Sequence, residues 1–520
     1  MSYAKTLGVG LVGLTGHLVE VEADIANGLP NLVLSGLPDT ALSEARDRVR
    51  AAIVNSGEPW PNRRVTVNLL PAALPKHGSG FDTTIAVALL VAAGLLPRAP
   101  FDGVVILGEL GLDGSVRPVR GVLPMVHAAA RAGVRRVIVP LGNAHEAGLV
   151  PGVTVRATDT LGRLVAFARG VDRLLPAPTV EPADETTGPD LADVVGQEFG
   201  RIALEVAAAG GHHLAMIGPP GAGKTMLAQR LPSILPPLDD EEALEVTAIH
   251  SIAGVLPPDA GLVRRPPFQA PHHTASVPAL VGGGSGLARP GAISLAHRGV
   301  LFMDEAPEFS ARVLEALRQP LENGYVSLAR TMGRTDYPAR VQLVLAANPC
   351  PCAKPAGDAG CECPPLARRR YLGRLSGPLR DRIDLQVYLN PVRATELLQD
   401  PEVQRREPSA VVAERVAKAR AAAAARWAAG GWRTNAQVPG AALRDLRWRL
   451  PRAATEPLRR HLEAGTLSAR GHDRVLRVAW TVADLAGRDH PGAEEVNQAY
   501  ALRVGESLWR AHAVDRRPVS

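Results

Sequence analysis

Hydrophobic and polar positions divide the chain into parts with different periodicities. In residues 1–173, short apolar runs alternate with alanine-rich helical stretches. Residues 65–69 alternate apolar and polar side chains, and residues 104–107 are continuously apolar. Period-two alternation predicts a half-buried strand, and a short apolar run predicts a fully buried one. The pattern therefore predicts an α/β domain over residues 1–173.

A proline-rich, acidic segment separates this domain from a second α/β pattern. Residues 174–189 are poor in large apolar side chains and cannot bury enough surface to fold, which predicts a linker. Residues 190–391 again alternate strands, loops and helices, whereas residues 392–520 are rich in Ala, Leu and Arg at helical spacing. We therefore expect a second α/β core followed by a helical C-terminal domain.

A glycine-rich motif follows the first strand of the second domain. The apolar run at 214–217 leads into G-x-x-x-x-G-K-T and then into a helical segment that Pro232 is expected to end. In this setting backbone N–H groups surround phosphate oxygens, the lysine reaches the β- and γ-phosphates, and the threonine hydroxyl binds Mg²⁺. The residues predicted to bind ATP are Gly218, Pro219, Pro220, Gly221, Ala222, Gly223, Lys224 and Thr225.

Two later strands end in polar side chains suited to nucleotide hydrolysis. The apolar residues 299–303 lead into Asp304 and Glu305. Asp304 is predicted to complete the Mg²⁺ shell with Thr225, and Glu305 to polarise the attacking water. The strand at 341–347 ends at Asn348, whose amide either orients that water against the γ-phosphate or simply caps the strand.

The order of these motifs resembles that of AAA+ ATPases. The D-V-V-G-Q segment is similar to the one that this family places beside the adenine, with Val195 as the contact. Asn348 takes the sensor-1 position, S-G-P-L-R-D-R-I-D is similar to the arginine-finger segment with Arg382 as the finger, and S-A-R matches a sensor-2 arginine at Arg470. A guanidinium stabilises charge on a transferred phosphoryl group. The resemblance therefore implies catalytic roles for Glu305, Asn348, Arg382 and Arg470.

An arginine finger at Arg382 would act on the site of a neighbouring subunit. The working unit would then be a ring, because each nucleotide site is completed by the next subunit. The family expectation is a homo-hexamer. A surface salt bridge is the alternative role for Arg382 and for the nearby Arg380.

The segments between the two nucleotide motifs indicate a branch of the AAA+ class. F-Q-A-P-H-H-T-A-S, L-V-G-G-G and P-G-A-I-S-L-A-H resemble the magnesium-chelatase-related branch, and the whole chain resembles the ComM/YifB group. That resemblance implies an ATPase linked to DNA branch migration during natural transformation. The adjacent His272 and His273 are expected to pack, or to contact a neighbouring subunit, rather than to share a metal.

The first domain resembles the Lon protease fold, a ribosomal S5 domain 2-like α/β fold, without the catalytic pair. L-P-K-H-G-S-G-F-D carries the resemblance. The proteolytic version needs a serine nucleophile with a lysine base, but the resemblance places Gly80 and Leu123 at those positions. Ser79 is one residue away, and no lysine follows Lys76 before the phosphate loop. The domain is therefore expected to assemble rings or guide substrate rather than to cleave peptides.

All four cysteines lie in a short segment after Asn348. Their spacing is C-x-C-x₈-C-x-C, in a stretch with proline and glycine. Four thiolates so placed can enclose one tetrahedral Zn²⁺; free thiols and redox chemistry are the alternatives. The candidate zinc ligands are Cys350, Cys352, Cys361 and Cys363.

A predicted hairpin supplies candidates for DNA contact. Residues 325–330 and 338–342 flank the polar stretch 331–337, and in related ring ATPases a hairpin here projects into the central channel. Arg330 and Arg334 are then candidates to contact nucleic-acid phosphates. An exposed turn with two solvated arginines is the alternative.

Charge and apolar content add a candidate partner and a compartment. The 520 residues are 46% hydrophobic and 21% charged, as in globular domains, and the formal net charge is +6. Residues 401–520 carry 21 Lys and Arg against 13 Asp and Glu, which favours either a polyanion-binding surface or an ordinary solvated helical surface. No segment predicts a signal peptide or a membrane span. A cytoplasmic protein without membrane contact is expected.

These patterns favour a ring-forming AAA+ ATPase that uses ATP and Mg²⁺ to remodel DNA or drive branch migration in a helicase-like manner. Its partners would be copies of itself and DNA. A magnesium-chelatase-type subunit that drives metal insertion is one alternative, although that subunit would not need the first domain. A protein-remodelling ATPase without a nucleic-acid role is the other. Stimulation of ATP hydrolysis by DNA separates these hypotheses.

Overall fold

Among the described residues, an eight-stranded sheet, a five-stranded sheet and a C-terminal group of helices are the main parts of the protein. The computed structural model describes residues 2–36, 39–72, 74, 76, 79–178, 188–284, 288–330, 333–354, 360–392 and 406–505. Most of the predicted linker, residues 179–187, lies outside the described residues. The predicted class, α/β with a helical C-terminal region, is confirmed.

The first domain is a mixed sheet with helices on both faces. Its strands are β1 (Tyr3–Val12), β2 (Thr15–Ala26), β3 (Asn31–Ser35), β4 (Arg64–Leu70), β5 (Val104–Ile106), β6 (Glu109–Leu110), β7 (Val116–Arg117), β8 (Arg136–Pro140), β9 (Thr154–Thr158) and β10 (Leu175–Pro176). β6 and β7 pair with each other, and the other eight form one sheet in the order β10-β9-β8-β5-β1-β2-β4-β3. Its helices are α1 (Asp39–Asn55), α2 (Asp82–Ala92), α3 (Val122–Arg131), α4 (Ala144–Gly148) and α5 (Leu161–Ala168).

Alternate residues of the central strands enter two separate cores. Val104 and Ile106 pack with α1, α2 and α5, whereas Val105 and Leu107 pack with α3 and α4. A strand buried on both faces is expected to be continuously apolar, as the sequence here is. At the edge of this sheet, β10 pairs antiparallel with β9, so residues 175–176, which composition assigned to the linker, belong to the sheet. Proline is tolerated there because an edge strand has no second neighbour to bond.

The second domain is built on a five-stranded parallel sheet. Its strands and hairpins are β11 (Leu214–Ile217), β12 (Phe268–Gln269), β13 (Gly282–Gly283), β14 (Arg289–Pro290), β15 (Val300–Met303), β16 (Tyr325–Arg330), β17 (Gly333–Pro338), β18 (Gln342–Ala347) and β19 (Leu385–Tyr388). The sheet order is β12-β15-β18-β11-β19, while β13–β14 and β16–β17 form separate pairs. The helices are α6 (Glu198–Gly210), α7 (Lys224–Ile234), α8 (Asp240–Ala253), α9 (Val277–Val281), α10 (Ala292–Leu295), α11 (Ala311–Ala316), α12 (Arg318–Asn323), α13 (Pro365–Gly373) and α14 (Gly377–Arg380).

Two local expectations in this domain were wrong. α7 continues through Pro232 to Ile234, because the fully buried Leu231 and Ile234 anchor its last turn and outweigh one missing backbone hydrogen bond. The polar stretch after β16 is not a long loop: β17 begins at Gly333, and Arg330 pairs with Gly333 across the turn. Thr335 and Tyr337 point inward and are buried, so this strand has period-two alternation despite its polar composition.

The C-terminal helices pack on the second domain. They are α15 (Ser409–Trp427), α16 (Gly440–Leu443), α17 (Arg452–Glu463), α18 (Ala469–Leu485) and α19 (Ala493–Val504). α15 contacts α6 and α7, and α18 contacts α6. Arg415 of α15 forms an ion pair with Glu205 of α6 at 2.7 Å. No helix among the described residues is long and apolar enough to cross a membrane.

The first and second domains share a packed interface. α8 lies against α3, and Ala248 of α8 is buried in the core under the first sheet. The Ser251 hydroxyl donates a hydrogen bond to Glu146. At the β1–β2 turn, Gly13 has a φ of +61°, and a Cβ there would lie 2.9 Å from the Thr335 methyl group of β17. The turn of the first domain therefore rests directly on the β16–β17 hairpin.

Candidate nucleotide site

The phosphate loop connects β11 to α7 and requires glycine at three points. Gly221 and Gly223 have φ values of +77° and +83°, a region that residues with a Cβ avoid. At Gly218 a Cβ would lie 2.6 Å from the carbonyl oxygen of Leu389. The turn therefore brings backbone N–H groups to the N-terminus of α7, the arrangement that binds phosphate.

Lys224 lies inside this loop, with only 8% of its surface exposed. Its Nζ donates hydrogen bonds to the carbonyl oxygens of Gly218 at 2.6 Å and Pro219 at 2.9 Å, and to Asn348 Oδ1 at 3.1 Å. Burial lowers the pKa of the Lys224 ammonium, and the carboxylates of Asp304 and Glu305 oppose that shift. The ammonium is thus held beside the end of β18, the strand next to β11.

Two oxygen donors converge beside the loop. Thr225 Oγ1 donates to Asp304 Oδ2 at 2.7 Å, although the two residues come from α7 and from the end of β15. The Glu305 N–H donates to Asp304 Oδ1 at 2.9 Å, and Glu305 itself has a φ of +49°. Mg²⁺ is bound in phosphoryl-transfer sites by one or two such oxygens together with phosphate and water. The Thr225 hydroxyl and the Asp304 carboxylate therefore fit a Mg²⁺ site.

A histidine contacts Glu305 in a way that the sequence did not predict. His273 Nδ1 lies 3.5 Å from Glu305 Oε2, and the His272 and His273 rings contact each other at a tilt of 33°, with centroids 4.1 Å apart. Both histidines follow β12, the strand beside β15. The sequence does show both histidines just after a strand-like segment. Their contact with Glu305 could not be predicted from that alone, because it depends on β12 lying beside β15 in the sheet.

The adenine-side segment packs near the phosphate loop. Val195 is partly buried, and Gln197 Nε2 donates to the Asn390 carbonyl oxygen at 2.6 Å. A Cβ on Gly223 would lie 4.0 Å from Gln197 Cγ. The segment therefore adjoins the loop, and the contact of Val195 with the adenine stays a prediction.

The two arginines assigned to catalysis by resemblance lie elsewhere. Arg382 donates to the Pro378 carbonyl oxygen at 2.7 Å and forms an ion pair with Glu322. Arg470 lies exposed in the first turn of α18. Within the part of the chain that the structure describes, no contact joins either arginine to Lys224. The site formed within this one chain thus consists of Lys224, Thr225, Asp304, Glu305 and Asn348.

The four cysteine sulfurs form a compact cluster immediately after Asn348. All four lie within 4.8 Å of one another, with Sγ–Sγ distances of 3.2 Å for Cys350–Cys352, 3.3 Å for Cys350–Cys361 and 3.7 Å for Cys352–Cys361. None forms a disulfide. A hydrogen bond from Cys350 lowers the pKa of the Cys352 thiol to about 6. Tetrahedral Zn–S bonds of about 2.3 Å give sulfur separations of about 3.8 Å, so the cluster fits zinc.

The DNA candidates and the Lon-like residues have ordinary partners. Arg334 Nε donates to Asp336 at 3.1 Å and its side chain is 62% exposed; the Arg330 side chain lies outside the described residues. Ser79 donates to Glu109, and the buried Lys76 ammonium donates to the backbone carbonyl of Leu74 at 3.2 Å. Burial lowers the pKa of Lys76. The hydroxyl of Ser79 thus bonds a carboxylate rather than a lysine.

The parallel sheet in the order β12-β15-β18-β11-β19, the glycine loop before α7 and the acidic pair after β15 define a nucleotide-binding protein of the AAA+ class. β18 separates the loop strand from the acidic strand, which places Asn348 between them.

Comparison with known proteins gives the family. Residues 190–397 match the family model described as "Magnesium chelatase, subunit ChlI", residues 21–143 match "Subunit ChlI of Mg-chelatase", and residues 406–503 match "Magnesium chelatase, subunit ChlI C-terminal". An uncharacterized protein of Mycobacterium tuberculosis is 55% identical over 503 residues, which cover 97% of this chain and 99% of the relative. The competence protein ComM of Haemophilus influenzae is 41% identical, with 97% and 98% covered.

The uncharacterized protein YifB of Escherichia coli is 42% identical over 498 residues, 96% of each chain. This chain therefore belongs to the magnesium-chelatase-like AAA+ family that includes ComM and YifB, whose members use nucleotide and Mg²⁺. The Lon protease of Mycolicibacterium smegmatis is 33% identical over 159 residues, 29% of this chain and 20% of the protease, which confirms the predicted Lon-like similarity.

Proposed function

We propose that the protein is a ring-forming ATPase that couples ATP hydrolysis to the remodelling of DNA, as a cytoplasmic homo-hexamer. The observation that carries the ATPase part is the convergence of Lys224, Thr225, Asp304 and Asn348 from α7 and the ends of two strands. The DNA part is supported by full-length similarity to a competence protein and by the exposed arginine on the β16–β17 hairpin.

Each residue of the site has a distinct task in this proposal. Lys224, which is 8% exposed, exchanges its backbone carbonyl partners for the β- and γ-phosphate oxygens of the substrate. Thr225 and Asp304 would hold Mg²⁺, which when bound would offset the negative charge of the phosphates. Glu305 accepts the proton of the attacking water, and the Asn348 amide orients that water.

His273 is a positioning residue for Glu305. A carboxylate that must contact one water molecule gains from a second partner that limits its rotamers. His273 lies 3.5 Å from one carboxylate oxygen, which leaves the other oxygen for water. The segment after β12 thus positions the Glu305 carboxylate at the end of the adjacent strand β15.

Arg382 and Arg470 would complete the site from outside this cluster. Arg382 acts in trans on the γ-phosphate of the adjacent subunit, and ring assembly must then release it from Glu322. Arg470 acts from the C-terminal helices. The role of Arg382 requires that ATP hydrolysis depends on assembly.

The four-cysteine cluster is proposed to hold one structural zinc ion. Cys350, Cys352, Cys361 and Cys363 would supply all four ligands. Metal analysis of purified protein should give about one zinc per chain and a marked loss in Cys361→Ser. A wild-type stoichiometry near zero would end this part of the proposal.

The central test is the ATPase rate against a panel of DNA forms. Single-stranded, duplex and branched DNA should raise the rate, and binding should weaken steeply as salt increases because phosphate contacts release counterions. Absence of stimulation by all three forms would overturn the DNA role. It would leave protein remodelling or metal insertion as the functions to examine.

A further inference from the structure

The helix that follows the cysteine cluster has one face that is entirely exposed. Leu366, Arg369, Arg370 and Gly373 of α13 have the spacing i, i+3, i+4, i+7, and all four are exposed. Such a spacing places side chains on one side of a helix. Among the described residues, neither Arg369 nor Arg370 has an ion-pair partner. Two adjacent guanidinium groups and an apolar side chain therefore share one surface.

The C-terminal end of α13 contacts the turn that follows Glu305. Arg374, which follows the last turn, donates to the Pro307 carbonyl oxygen at 3.2 Å and to Glu308 at 2.9 Å, in the turn directly after Glu305. Tyr371 of the same helix is buried. Burial, with the Glu308 and Glu305 carboxylates, raises the pKa of Tyr371 to about 12. The hydroxyl therefore stays protonated.

Local charge on this segment is strongly positive and is not neutralised by its neighbours. Glu362 is paired with Lys354 at 2.7 Å, and Glu308 is paired with Arg374. Guanidinium groups bind phosphate through two parallel N–H donors and are weakly hydrated, which suits a nucleic-acid backbone. The exposed Leu366 adds an apolar contact for a base or sugar.

We infer that α13 is a nucleic-acid backbone-binding surface, with Arg369 and Arg370 contacting phosphates and with Arg374 linking the helix to the turn after Glu305. This inference rests on the proposed DNA role. It identifies a contact surface separate from the β16–β17 hairpin, and it accounts for how DNA binding reaches the residues that hydrolyse ATP.

The test uses full-length protein and the double variant Arg369→Gln/Arg370→Gln. The matched control is Arg63→Gln/Arg64→Gln, because these adjacent arginines of the first domain are also exposed and without an ion-pair partner among the described residues. Binding to a labelled single-stranded oligonucleotide is measured by fluorescence anisotropy across a salt series. ATPase rates are measured with and without the same DNA.

The α13 variant should bind DNA at least about tenfold more weakly, with a salt slope shallower by about 1.4, and should lose most of the DNA stimulation. Its basal ATPase rate should stay within about twofold of wild type, and the control should match wild type in every measurement. An unchanged slope and stimulation in the α13 variant, with a wild type that binds DNA, would overturn the inference alone. Loss of basal rate and of assembly would also overturn it, by showing a subunit interface. A wild type that does not bind DNA would instead refute the proposed function.

Discussion

The contact between Asn348 and Lys224 gives a sharp test of the site. The amide oxygen of Asn348 accepts a hydrogen bond from the Lys224 ammonium at 3.1 Å, and both residues are 8% exposed. Asn348→Asp replaces that amide by a carboxylate of the same shape. The ammonium would then be held by a full charge in a poorly solvated position, and the substrate phosphates would meet a negative group.

The distance sets the size of the effect. Two unit charges at 3.1 Å attract by about 5 kcal/mol at an effective dielectric constant of ~20. Desolvation of the carboxylate offsets part of this and leaves about 2 to 3 kcal/mol. ATP must displace that interaction to reach Lys224, so its affinity should fall about 30- to 150-fold. Asn348→Ala removes the amide without adding a charge that competes with the phosphates for Lys224, so it should keep ATP affinity within about threefold and lower kcat about 100-fold.

Titration with a fluorescent ATP analogue and steady-state hydrolysis separate the two effects. The aspartate variant should be deficient in binding, and the alanine variant should be deficient in turnover. Wild-type ATP affinity in Asn348→Asp would refute the view that Lys224 exchanges this amide for the phosphates of the substrate.

Three further predictions concern turnover and stability. Glu305→Gln should bind ATP normally but hydrolyse it at least about 100-fold more slowly; a rate near wild type would exclude Glu305 as the base. Arg382→Ala should lose about 1000-fold in hydrolysis, and mixing it with Glu305→Gln subunits should restore activity above that of either variant, whereas normal hydrolysis by Arg382→Ala alone would contradict a finger role. Burial lowers the pKa of His213 to about 4, below its unfolded value of about 6.5. The contribution of the neutral histidine to the free energy of unfolding is therefore complete above pH 6.5 and is lost as the pH falls toward 4. The urea midpoint should therefore fall less between pH 7 and 4.5 in His213→Gln than in wild type, and equal decreases would argue against this histidine.

Much of the nucleotide site could be predicted because its motifs are local. The phosphate loop needs glycines at fixed offsets, and Asp304 follows an apolar strand, so short segments contain the signal. The partners of these residues could not be predicted, because they depend on strand order. β18 lies between β11 and β15, which brings Asn348 to Lys224, and β12 lies beside β15, which brings His273 to Glu305.

Elements with unusual composition were the least predictable part of the fold. Pro232 lies within a helix because the core holds the turns on either side, and tertiary packing overrides helix propensity. β17 contains polar residues whose inward positions are filled by Thr335 and Tyr337, so hydropathy alone gave a loop. The contact of Arg374 with Glu308 joins residues 66 positions apart in the chain and left no local trace in the sequence.

The β1–β2 turn of the Lon-like domain rests on the β16–β17 hairpin of the second domain. Deleting the Lon-like domain would therefore not show its role cleanly. A shortened protein starting near residue 190 would expose Ala248 of α8 to solvent. It would also expose the Thr335 methyl group that now lies next to Gly13. Defects in such a fragment would combine loss of the missing part with damage to what remains. Substitution of Gly13 by a larger residue would disturb the turn. It would test the coupling between the first and second domains while leaving both domains in the protein.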